Sequence, residues 1–172
     1  MSKKDEDLYT VRFIGLLICY YERECEEMGN VIRSIHFNSE ILNKINNPII
    51  FCTHENKVLQ LVEDYTKIYI NVLLAEELIK LAPKKRGVMV ADTFIKILSN
   101  FSGKVILADF EMLFNPDYPI DIIKLFVEEA RKRKIVALWP GKYDGDRLLY
   151  SVPELSDFHS FTIANYNIVC VI

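Results

Sequence analysis

The chain has 172 residues, enough for one domain with a full core. Half of the residues are apolar (51%) and about a quarter are charged (26%), which excludes a disordered or fibrous chain. A formal net charge of -3 supplies no global field to draw nucleic acid, so any such contact must come from a local patch.

The N-terminus, Met1 to Asp7, carries charges of both signs, and the apolar run Leu8 to Tyr21 is interrupted by Arg12. A membrane span needs roughly 20 apolar residues and a signal peptide needs a small-residue cleavage site, so a buried helix is expected here. That helix would carry Leu8, Val11, Ile14, Tyr21, Cys25 and Met28 on a broad stripe and end at Gly29-Asn30. Its polar stretch Glu22-Arg23-Glu24-Cys25-Glu26-Glu27 reads as a solvated face rather than a metal site, since no histidine accompanies it. A second helix is expected to carry Val31, Ile32, Ile35, Phe37, Ile41, Leu42 and Ile45.

From Pro48 the pattern changes. Ile49-Ile50-Phe51-Cys52 is a short continuous apolar run, as in a strand covered on both faces. A helix over Lys57 to Tyr65 and a strand over Lys67 to Ile70 follow. Asn71 is expected to cap a helix from Val72 to Leu81, which Pro83 stops. Lys84-Lys85-Arg86 then falls in a loop, and a further helix holds Val90, Phe94, Ile95, Leu98 and Phe101. Lys104 to Asp109 is the clearest strand, an apolar run ending in an acid. A helix from Pro119 to Lys132, a strand over Lys134 to Trp139 stopped by Pro140-Gly141, and short strands to the C-terminus complete the order. Strands alternating with helices imply βαβ units and a mostly parallel sheet between helical layers, with ligands at the carboxyl ends of the strands.

The cysteines show no C-x-x-C spacing, and Cys52 and Cys170 sit within apolar runs, where a thiol behaves as a small buried hydrophobe. No metal site is expected. G-x-S-x-G is absent, and the pair His54-Glu55 reads as a loop rather than an acid/base couple, so no catalytic residue is assigned. Trp139 is expected in the core. Arg131-Lys132-Arg133 reads as a helix C-terminus complementing its dipole. Lys84, Lys85 and Arg86 form the other basic cluster, a contact for nucleic-acid backbone or for a partner's acidic surface.

A strand leading through a short loop into a helix, with a later strand ending in Asp109 and Glu111, is the order of a P-loop ATPase. From about Pro48 to Phe158 the chain also resembles the BrxF family, small P-loop proteins of type 3 bacteriophage-exclusion (BREX) systems. The residues that carry this are Asn71-Val72-Leu73-Leu74 with Leu81-Ala82-Pro83, Val105 to Pro116, Arg133 to Gly141, and Leu149 to Pro153. The resemblance implies a three-layer α/β domain of the P-loop NTPase type (RecA/AAA-like) over residues 47–172, with an N-terminal helical extension over 1–46. It also implies a cytoplasmic component of a phage-defence complex that works with protein partners; whether it forms an oligomer is left open by the sequence.

The family's phosphate loop, G-x-x-x-x-G-K-[ST], falls here on Phe51-Cys52-Thr53-His54-Glu55-Asn56-Lys57-Val58, where only Lys57 survives. Glycines let that loop curl its amides around phosphate, Val58 lacks a hydroxyl for Mg²⁺, and Glu55 puts negative charge where an anion would sit. The expectation is a non-hydrolysing pseudo-ATPase with no cofactor. Two alternatives stay open. One is weak or oligomer-assisted binding of ATP and Mg²⁺ through Lys57, Asp109 and Glu111, with Ala108 or Asp109 in the metal-binding register; the other is a DNA-binding accessory module using Lys84, Lys85 and Arg86.

Overall fold

The computed structural model describes residues 31–172; the helix expected before Gly29 and the Glu22 to Glu27 stretch lie outside the described residues. Nine strands occur among those residues: β1 (Val31–Ile32), β2 (Ile49–Phe51), β3 (Thr66–Tyr69), β4 (Lys104–Ala108), β5 (Lys134–Leu138), β6 (Lys142–Asp144), β7 (Arg147–Tyr150), β8 (His159–Thr162) and β9 (Val169–Val171). Five α-helices connect them: α1 (Ser39–Lys44), α2 (Asn56–Gln60), α3 (Ile70–Leu78), α4 (Pro83–Ser99) and α5 (Ile122–Ala130).

Six strands form one sheet in the order β1-β9-β2-β5-β4-β3, and every neighbouring pair is parallel. The apolar runs read from the sequence lie at its centre. Ile49, Ile50 and Phe51 are fully buried because β9 and β5 flank β2 and helices cover both faces. Successive strand residues point to opposite faces, which separates two core layers. Ile50, Leu107, Ile135 and Cys170 pack with Leu74, Phe94 and Phe126 from α3, α4 and α5. On the other face Ile49, Phe51, Val136 and Val171 pack with Leu42 of α1 and Val58 of α2. The result is an α/β domain with a parallel sheet between helical layers. Among the described residues no helix is long and apolar enough to cross a membrane.

Strands β6, β7 and β8 form a separate antiparallel sheet. A Cβ on Gly141 would stand 1.8 Å from the Leu149 carbonyl oxygen, so only glycine lets the chain enter this sheet so close to β7. The sheet is seated on aromatic rings. Tyr150 stacks on Phe114 at 3.8 Å, and Trp139 lies edge-on to Phe114 and Phe161. Trp139 is buried and its indole N–H donates to the Leu149 carbonyl at 3.0 Å, a core role as the sequence suggested.

Four expectations are corrected. The helix expected over residues 31–45 is replaced by β1, a 3-10 turn over Ser34–His36 and the short α1. The β-branched Val31 and Ile32 pair with Cys170 and Val171, and helix begins only after Asn38, whose Oδ1 accepts the Ile41 N–H at 3.0 Å. The helix expected to Tyr65 stops at Gln60, the end of α2. Asn71 does not cap α3, which has already begun at Ile70 with Tyr69 in the cap position. Lys84, Lys85 and Arg86 are not in a loop. Pro83 opens α4 rather than merely ending α3, as its fixed φ and missing N–H permit, so the three cations occupy the first turn.

Candidate functional site

Ligands of parallel α/β sheets gather at the carboxyl ends of the strands, and the loop compared with a phosphate-binding loop follows β2 at that end. Phe51, at the first glycine position of the motif, is a buried strand residue whose ring meets Phe37 edge-on at 5.7 Å. Its job is packing. The next amide is already spent, since the Cys52 N–H donates to the Val171 carbonyl at 2.9 Å. Glu55 then adopts φ -60° and ψ 126°, and its N–H donates to Thr53 Oγ1 at 3.3 Å.

Among the described residues only Asp109 (φ 48°) and Ser151 (φ 63°) are non-glycine residues with positive φ, so no residue from Phe51 to Val58 is left-handed. Without such a residue the amides do not converge into an anion-binding concavity. The Glu55 carboxylate turns instead to the buried Ser34, whose hydroxyl donates to Oε1 at 3.1 Å. Lys57 stands exposed in the first turn of the five-residue α2, and His54 is also exposed.

The acids lie elsewhere along this edge. β4 is separated from β2 by β5, so Asp109 follows a strand about 10 Å from the one that leads to Lys57. Ala108 is the last, buried residue of β4, and Asp109 behind it is exposed. The Asp109 carbonyl accepts the Asn71 N–H at 2.6 Å. The Asn71 side chain then donates Nδ2–H to Glu111 Oε2 at 2.8 Å and accepts the Met112 N–H on Oδ1 at 2.9 Å. Asn71 therefore clamps the turn after β4 to the start of α3, and Glu111 is held by that clamp.

Beside it, Glu111, Phe114, Asn115, Tyr118 and Asp157 line a pocket of about 220 Å³. That is below the roughly 300–1,000 Å³ that small-molecule sites occupy. Asp157 accepts the Ser151 hydroxyl at 2.7 Å, and this bond accompanies the left-handed backbone of Ser151. Burial, then the charges of Asp157 and Glu111, push the Tyr150 hydroxyl above its ordinary range. His159 Nδ1 lies 2.9 Å from the Asp157 carbonyl oxygen, so serine, carboxylate and imidazole do not form a relay.

Cys52 and Cys170 are free thiols on the same face of the sheet, the first half-buried and the second buried. A hydrogen bond with Cys52, then burial, push the Cys170 thiol above its usual range. Among the described residues no group of three or more His, Cys, Asp or Glu side chains converges.

Lys84 and Lys85 are exposed, while Arg86 is half-buried and its Nε–H donates to the Leu81 carbonyl at 3.2 Å. With no acid in that turn, three cations face the positive end of the α4 dipole, an arrangement that costs stability. Sequence reasoning named the loop and the acids, which the structure sets at the ends of strands two places apart. It missed Ser34 as the partner of Glu55, Asn71 as a clamp, and Ser151 with Asp157, because each pairing exists only in the folded chain. No protein-family model, curated protein or solved structure matches the chain.

Proposed function

We propose that this chain is a non-hydrolysing component of a bacterial phage-defence complex, built on an ATPase-like scaffold and acting through protein partners. The observation that carries the reading is the loop after β2. It lacks a left-handed residue, spends the amides of Cys52 and Glu55 on Val171 and Thr53, and turns the Glu55 carboxylate to the Ser34 hydroxyl. The strand order supports the scaffold. The strand before the loop is central, the strand ending at Asp109 lies two places away, and β5 intervenes, the layout expected of RecA/AAA-type domains. The BrxF-like stretches from Asn71 to Pro153 support the phage-defence setting. Exposed Tyr69 of β3, the edge strand among the described residues, with Val72 and Ile79 at the two ends of the helix that follows, supplies apolar surface of the kind a protein partner covers.

Titration calorimetry with ATP and Mg²⁺ tests the reading. The expected result is no heat from binding at the loop, with Lys57→Ala indistinguishable from the parent chain. Micromolar ATP affinity that Lys57→Ala abolishes overturns it and makes the chain a nucleotide-binding ATPase subunit.

A further inference from the structure

The opposite end of the sheet holds a larger space. The N-terminal ends of β2 and β5 and the C-terminal end of α5 border a groove of about 600 Å³, within the range that accepts a small ligand. Its wall includes Arg131, Lys132, Arg133 and Lys134 and no acid, although the whole chain is net negative. The positive charge is therefore a local excess, and a cleft lined by one sign of charge focuses its field.

Two of these cations are tied to backbone. Arg133 Nη1 donates to the carbonyls of Leu98 and Phe101 at the end of α4, and Lys134 Nζ donates to those of Leu42 and Ile45 at the end of α1. Carbonyls are neutral, so they satisfy the donors without cancelling the charge. The carboxylate paired with this run is buried Glu129, with Lys132 at 2.6 Å and Arg133 at 3.2 Å. Four cations against one carboxylate leave a surplus of three. Arg131 is exposed, and its side chain has no hydrogen-bond or ion-pair partner among the described residues. On the other wall, Asn46, Asn47 and Asn167 present carboxamides, with Asn47 Nδ2–H donating to Asn167 Oδ1 at 2.8 Å.

We propose that this basal groove binds a phosphate-bearing ligand of nucleotide size, its phosphates on Arg131 and Lys132 and its neutral part against Asn46 and Asn167. A single carboxylate would leave the surplus charge largely unmatched, whereas a di- or triphosphate balances it, and the Arg131 fork suits phosphate oxygens. Carboxamides suit hydroxyls or base edges. The groove has no aromatic platform for a single strand, which favours a small molecule over nucleic acid. Burial, then the like charge of Lys104, hold the Lys134 ammonium below its ordinary range, and a polyanion bound nearby offsets the like-charge repulsion.

Calorimetric titrations of the full chain at low salt with ATP and with inorganic pyrophosphate, both without Mg²⁺, decide the matter. ATP is expected to bind, to weaken with added salt, and to lose at least about tenfold in affinity in Arg131→Glu, the loss of one charge-assisted contact. Because Arg131 is exposed and unpaired, circular dichroism of that variant should match the parent. Asn46→Ala should weaken ATP but not pyrophosphate. The proposal fails if neither ligand binds, if Arg131→Glu leaves affinity intact, or if only a short DNA duplex binds. Binding lost in Lys57→Ala rather than Arg131→Glu sinks both this site and the inert-loop reading; loss in Arg131→Glu alone leaves that reading standing.

Discussion

Asn71 joins two strand ends that are forty residues apart in the chain, using both halves of its carboxamide. Donor and acceptor are fixed by opposite partners, a carboxylate on one side and an N–H on the other, so no isosteric residue serves both. Replacing Asn71 with Ala removes two hydrogen bonds, one to a charged group, and leaves the half-buried Glu111 carboxylate poorly satisfied. The expected cost is about 1–3 kcal/mol, read as a lower urea midpoint. Asn71→Asp should be worse at neutral pH than in mild acid, because it turns a carboxylate toward Glu111. A midpoint unchanged in both variants would show that the clamp does not hold the edge together. The same logic explains why Asp109 tolerates a left-handed backbone. Aspartate visits that region at low cost, and its carbonyl is fixed by the Asn71 N–H.

Helix α5 shows how one side chain sets an element. Asp121 Oδ1 accepts the Lys124 N–H at 3.1 Å and starts the helix, while Oδ2 accepts the Tyr166 hydroxyl at 2.9 Å and ties the helix to the segment entering β9. Burial, then the hydrogen bond to Asp121 and its charge, push the Tyr166 hydroxyl up to about 12. The folded value lies above the ordinary tyrosine value near 10, so the stabilisation is whole below pH 10 and is lost as pH rises through about 12. Tyr166→Phe should remove one late step from the tyrosinate absorbance titration and flatten the fall in stability over that window. Parallel pH profiles for parent and variant would contradict this.

At the same scale, what the sequence disclosed and what it hid have physical causes. Strands β2, β4 and β5 were legible because strands buried on both faces must be continuous apolar runs. β1 was not, being two residues long with its partners near Cys170, far along the chain. Pro83 misled because proline both ends one helix and begins the next. Lys57 and Asp109 could be named from motif order but end on strands separated by β5, whereas Ser34 beside Glu55 and Asn167 beside Asn47 are neighbours only once the sheet exists.

For the whole molecule, the decisive question is where the folding unit begins. Motif order places a boundary near residue 46, with an extension before it, yet β1 and α1 complete the sheet and one of its core layers. β1 pairs with β9, the Ile172 N–H donates to the Ile32 carbonyl at 3.0 Å, and the Ser34 N–H returns to the Ile172 carbonyl at 2.6 Å. Phe37 and Leu42 are almost fully buried against Ile49, Phe51 and Val171. Burying a large apolar side chain contributes about 1.5–3 kcal/mol, so these two account for roughly 3–6 kcal/mol. Domains of ordinary size have only about 5–15 kcal/mol to lose. A chain lacking residues 1–46 is therefore expected to unfold at a much lower urea concentration than one starting at Val31, and to aggregate through the exposed edge of β9. The midpoints of the two chains, measured side by side by far-ultraviolet circular dichroism, test this directly. If they coincide, residues 31–46 are an appendage after all, and the packing of Phe37 and Leu42 adds nothing to the stability of the sheet.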